Sequence, residues 1–147
     1  MQIKKIFKSN GSLMRFLFFV AVFGFVSIPR SSFAELSVDP YCQLVIESMG
    51  QVVSNFQELI PIASQYKGDP EALAGKEEIK RAEFEQVWED LYASYQTTPE
   101  EYIMYMGKHS REVKAYLKAH PEIQQQIDDL ASQVNSVLEQ YELLLEQ

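Results

Sequence analysis

From Pro40 onward the apolar residues recur in alternating steps of four and three, the spacing that holds one stripe on one face of an α-helix. Val45, Met49, Val52, Phe56, Leu59, Ala63 and Tyr66 keep this spacing over three heptads. Pro61 falls inside the run. Proline removes a backbone donor and crowds the carbonyl four residues earlier, so a kink or short break is expected near 59–61. Lys67-Gly68-Asp69-Pro70 then ends the segment.

The next stretch carries less information. Residues 71–82 are polar with little periodicity and read as a loop or a frayed turn, after which Phe84, Val87, Trp88, Leu91 and Tyr95 form a stripe. Thr98-Pro99-Glu100-Glu101 is the sharpest local signal: a threonine N-cap, a proline at the first helical position and a glutamate placed to complete a capping box. The helix it starts has Tyr102, Met106, His109, Val113 and Tyr116 on one face and stops at His120-Pro121. Pro121 opens a last helix with the stripe Ile123, Ile127, Leu130, Val134, Val137, Tyr141 and Leu144. Four such helices with connections of a few residues predict an all-α fold, an antiparallel up-down-up-down four-helix bundle with coiled-coil-like seams. The same seams would also suit an extended coiled-coil dimer in which the fourth helix pairs across a two-fold axis. No sustained strand-type alternation competes.

The first 34 residues read as a cleaved signal peptide. Lys4, Lys5, Lys8 and Arg15 precede the apolar run from Phe16 to Ile28, and Ser32-Phe33-Ala34 offers the small residues a signal peptidase reads. At about 1.5 Å per residue the apolar run spans only about 20 Å, short of a bilayer core of about 30 Å. The expectation is a periplasmic or secreted protein with residues 35–147 as one helical domain and no stable membrane insertion after cleavage.

Charge then narrows the partners. All 21 acidic residues lie beyond position 34, whereas five of the 13 basic ones do not, which leaves eight bases against 21 acids and a net charge of −13. Such a chain repels phosphate, so nucleic acid is not an expected partner. On an up-down-up-down bundle one end would collect Glu35, Asp39, Glu47, Glu85, Glu89, Asp90, Glu100, Glu101, Glu139, Glu142 and Glu146 with no base. The other half would carry the cations, including the row Lys108, Arg111, Lys114 and Lys118. That row is either a solvated helix end favoured by the helix dipole or a docking face.

Chemistry-bearing residues are few. Cys42 is the single cysteine, so no internal disulfide is possible, and Cys42 is the candidate for an intermolecular one. The residues before it, Asp39-Pro40-Tyr41, do not form a lipid-attachment box. In the expected bundle Cys42 and His120 stand at opposite ends, roughly 30 Å apart by helix rise, so no nucleophile and base pair up. Neither histidine follows a glutamate at three residues' distance, so the di-iron pattern is missing, and one cysteine does not make a covalent haem site. Met104, Met106 and His109 could together bind a soft ion such as Cu(I), and His109 with Met49 or Met106 could clasp a haem. The plainer reading makes Met106 and His109 core residues. Tyr92, Tyr95, Tyr102 and Tyr105 bracket one turn, as an aromatic face for a partner or as packing at the bundle end. The sequence thus points to a non-enzymatic exported bundle, an adaptor or chaperone-like module that binds a protein partner or itself, with a metal- or haem-binding bundle as the alternative.

Overall fold

A computed structural model describes residues 36–146, and the expected signal peptide lies outside them. Four helices follow one another: α1 (Val38–Gln65), α2 (Pro70–Ser94), α3 (Pro99–Ala119) and α4 (Pro121–Leu145). They form the helical bundle that the seams predict, with no strand among the described residues.

α1 is the central element and packs on all three other helices, most extensively on α4. Its expected stripe is buried from Val45 to Ala63, with Tyr66 half-buried at the C-cap, and flanking residues are buried on both sides of it, Leu44 and Ser48 on one and Ile46 and Val53 on the other. A helix enclosed by three neighbours has to bury more than one stripe. α1 also runs through Pro61 without interruption to Gln65, against the expected break. Pro61 forgoes its own hydrogen bond, to the carbonyl of Gln57, and only about one further turn of helix follows it.

α2 is helical from Pro70, so residues 71–82 are neither loop nor frayed turn. Local chemistry accounts for this. The Asp69 side chain accepts from the Ala72 amide at 3.1 Å, and Pro70 fills the first turn. Further along, Lys80 pairs with Glu83 in its own helix at 2.6 Å and with Glu58 of α1 at 3.0 Å. α2 ends in a Schellman turn: Thr97 donates to the Tyr92 carbonyl at 3.1 Å, Gln96 donates to Ala93 at 3.0 Å, and Gln96 is left-handed at φ 52°. α3 starts with the expected capping box, in which Glu101 N donates to the Thr98 hydroxyl and Thr98 N to the Glu101 carboxylate.

The bundle holds, but its helices do not alternate strictly up and down. α1 and α2 are antiparallel, as Lys80 meets Glu58 near one end and the Tyr95 hydroxyl donates to Glu47 (2.7 Å) toward the other. α4 is parallel to α1. Ile127 and Ala131 face Cys42 and Val45 across one small cavity, and Tyr141 meets Phe56 edge-on at 5.3 Å near the other end. The partners of α3 on α1 fall between Asp39 and Met49, about 15 Å of rise, although α3 has 21 residues and a length of about 30 Å. α3 therefore lies obliquely across the first half of α1, bent at His109, whose backbone is non-helical (φ −118°, ψ 22°). The physical reason is the connection. An antiparallel helical hairpin needs a loop of about two to five residues, and α3 and α4 are joined by His120 alone, which makes a corner.

Candidate functional site

The consequence of this path is a bundle with two unlike halves. Around the first half of α1, helices α2, α3 and α4 close a core whose centre is aromatic. Tyr41 stacks on Tyr105 at 4.3 Å, and Tyr102 lies between Tyr41 and Tyr92 at 5.5 and 5.8 Å. Around the second half there is no α3. There α2 and α4 each pack on α1 but not closely on each other, and a cleft of about 480 Å³ opens between them. Phe56 and Leu59 of α1 line it, with Leu73, Ala74 and Phe84 on the α2 side and Leu138 and Leu145 on the α4 side. The Tyr141 hydroxyl donates to Glu77 and ties the two walls together, and burial together with that carboxylate pushes the hydroxyl well above its ordinary pKa. Glu77, Arg81 and Glu142 supply the charged part of the lining. Leu145 is 52% exposed there, a large apolar side chain left in water at the mouth of an apolar cleft.

The candidates read from the sequence are distributed differently. Tyr92, Tyr102 and Tyr105 are core residues, with Tyr102 wholly enclosed, so they offer no face to a partner; burial drives the hydroxyls of Tyr92 and Tyr102 upward in pKa. Tyr95 is half-buried and held by Glu47, and burial with that bond pushes it up to about 12. The hydroxyls of Tyr41 and Tyr92 are buried without a hydrogen-bond partner, whereas those of Tyr102 and Ser48 approach each other inside the core.

Cys42 is 1% exposed and its thiol is pushed up to about 11, first by burial and then by Asp39, so an intermolecular disulfide would require the core to open. Because α4 is parallel to α1, Cys42 and His120 belong to the same end of the bundle and not to opposite ends. His120, however, stacks on Tyr116 at 4.3 Å and bonds Glu122 at 3.3 Å, while the thiol is enclosed.

Met104, Met106 and His109 do not converge. Met104 is 55% exposed, about 200° around the helix from Met106, which lines the small cavity beside Cys42. His109 stacks on Tyr105 at 4.4 Å and bonds Glu112 at 3.2 Å. Among the described residues no group of three or more His, Cys, Asp or Glu side chains gathers to hold a metal.

Lys108, Arg111, Lys114 and Lys118 are exposed, as the helix-face reading requires, and none pairs with a described acid. They do not stand opposite the acids of the first half, since α3 lies beside Asp39 and Glu47. Conversely Glu139, Glu142 and Glu146 are carried to the far end by the parallel α4, so the expected pole of eleven acids without a base does not form. The cleft itself went unread in the sequence. Its walls are residues 70–84, where periodicity is weak, and the last turns of α4, which meet them only because α4 runs parallel to α1.

No protein-family model matches the chain, and neither a curated protein nor a solved structure is significantly similar to it. No helix among the described residues is long and apolar enough to cross a membrane. The class that fold and site define, for the described residues, is an all-helical bundle with an open apolar cleft.

Proposed function

We propose that this chain is an exported, non-enzymatic binding module, adaptor-like or chaperone-like, that holds a partner protein in the cleft between α1, α2 and α4. The observation that supports this reading is the cleft itself. About 480 Å³ of concave space, floored by Phe56 and Leu59 and left uncovered by α3, lies within the size range of specific binding sites. The partner face moves accordingly from the tyrosines of the α2–α3 turn, which the core consumes, to the opposite end of the bundle. The export part of this reading is supported by the N-terminal charges, apolar run and small-residue cleavage site.

The test is site-specific photo-cross-linking in the producing cells. A photoreactive phenylalanine analogue replaces Ala74 or Leu145 in the cleft, or Ile79, which is exposed on α2 away from it. Discrete adducts to another protein from 74 and 145 but not from 79 are expected. Equal labelling from all three positions, or none, would sink the proposal. Adducts joining two copies of the chain would replace partner binding by self-association.

A further inference from the structure

Given the reading of the cleft as a partner site, on which this inference rests, we infer that its occupant is an amphipathic helix with basic residues beside its apolar face. The shape comes first. The α2 wall from Pro70 to Phe84 rises about 21 Å, the length of about four helical turns. The cleft is bounded by helices on both sides and floored by a third, so its walls carry the ridges into which another helix packs. Apolar anchors at i, i+3, i+4 and i+7 of an incoming helix would meet Phe56, Leu59, Leu73, Phe84, Leu138 and Leu145. Such an occupant would take the place that a third helix beside α1 fills in the closed half.

Charge selects the flank. α4 has no lysine or arginine along its whole length, and it carries Glu139 and Glu142, with Glu146 following its end. All three are exposed. Because α1 and α4 are parallel, both bring their C-terminal ends, each a partial negative charge, to this end of the molecule, against the single N-terminal end of α2. Arg81 is the one cation in the lining, beside Glu77 and Glu142. Lysines or arginines on the α4 side of an incoming helix therefore find a favourable field, and carboxylates there are repelled.

The experiment uses the full purified chain and two labelled synthetic helices that share one leucine face, one flanked by lysine and one by glutamate. Fluorescence anisotropy at low salt is expected to show the lysine helix binding at least about tenfold tighter, with the difference shrinking in high salt as screening sets in. Charge reversal by Glu139→Lys with Glu142→Lys, the first exposed on α4 and the second in the cleft lining, should invert the preference. Ala74→Trp, which fills the cleft from an exposed position, should weaken binding of the lysine helix at least about tenfold. Equal affinity for both helices would overturn the basic flank and leave the cleft reading intact. If neither helix binds while a free fatty acid does, and Ala74→Trp abolishes fatty-acid binding, the helical occupant is overturned. Undiminished helix binding in Ala74→Trp would overturn this inference and the cleft reading together.

Discussion

Cys42 and Tyr92 show how burial decides what a side chain can do. The Cys42 thiol is enclosed, held above its ordinary pKa and kept neutral, and the thiolate is the reactive form. A thiol reagent near pH 8 is therefore expected to leave the native protein unlabelled and to modify it fully in denaturant, as mass spectrometry would show. Labelling of the native protein at the rate of a free cysteine would contradict the enclosed thiol. The Tyr92 hydroxyl is buried without a partner, an arrangement that costs desolvation with no bond in return. Tyr92→Phe keeps the ring contacts with Trp88 and Tyr102 and removes that cost, so a gain of about 1 kcal/mol is expected in urea unfolding. A loss of similar size would mean that the hydroxyl is bonded after all. Sequence alone listed these residues as candidates because cysteine and tyrosine carry chemistry, and enclosure removed both from that role.

At the scale of the element, each helix boundary has a local cause that can be tested. Gln96 occupies the left-handed position of the Schellman turn, where a side chain costs about 1 kcal/mol or more relative to glycine. Gln96→Gly should raise stability by about 1 kcal/mol, and Thr98→Ala, which removes the cap of α3, should lower it by about the same amount. Thermal or chemical unfolding of the two variants provides the check, and equal effects of like sign would refute the assigned roles. In α1, Pro61→Ala returns one hydrogen bond, worth about 1 kcal/mol, against an unfolded-chain entropy of about 0.4–1 kcal/mol that the proline had removed. A change within about 1 kcal/mol is expected, with unchanged helicity by circular dichroism. A larger drop in stability would show that the proline is needed for the turn into α2.

At the scale of the molecule, ionisation acts on the whole core. Cys42 is moved from its ordinary 9.0 to about 11; Tyr95, by burial and Glu47, and Tyr116, by its bond to Asp39, are moved from 10.0 to about 12. Tyr41, Tyr92, Tyr102 and Tyr141 are shifted upward as well, each first by burial. Above pH 9 to 10 the unfolded chain has lost protons that the folded chain keeps, so the contribution of these groups to stability is fully present below that range and is lost as pH rises through it. Unfolding followed by helicity, and tyrosinate absorbance followed beside it, should coincide in one steep alkaline transition. Gradual tyrosine titration with helicity retained would argue against the enclosed aromatic core. The sequence by itself determined the helical class, the starts of α3 and α4 and most of the α1 and α4 seams. Those rest on interactions within three or four residues: the Thr98 cap, the prolines at 99 and 121 and the four-three spacing. The Asp69 cap and Pro70 start α2 in the same local way, but the weak periodicity of residues 71–82 hid that start. Helix directions were decided only in three dimensions. Spacing states which face of a helix is apolar and is silent on which neighbour covers it, so the corner at His120, the oblique α3 and the parallel α4 became visible only with the packing. That packing enclosed the four tyrosines' centre, separated Met104 from Met106, divided the acids between both ends, and left the second half of α1 with two helical neighbours and a cleft where a third would lie.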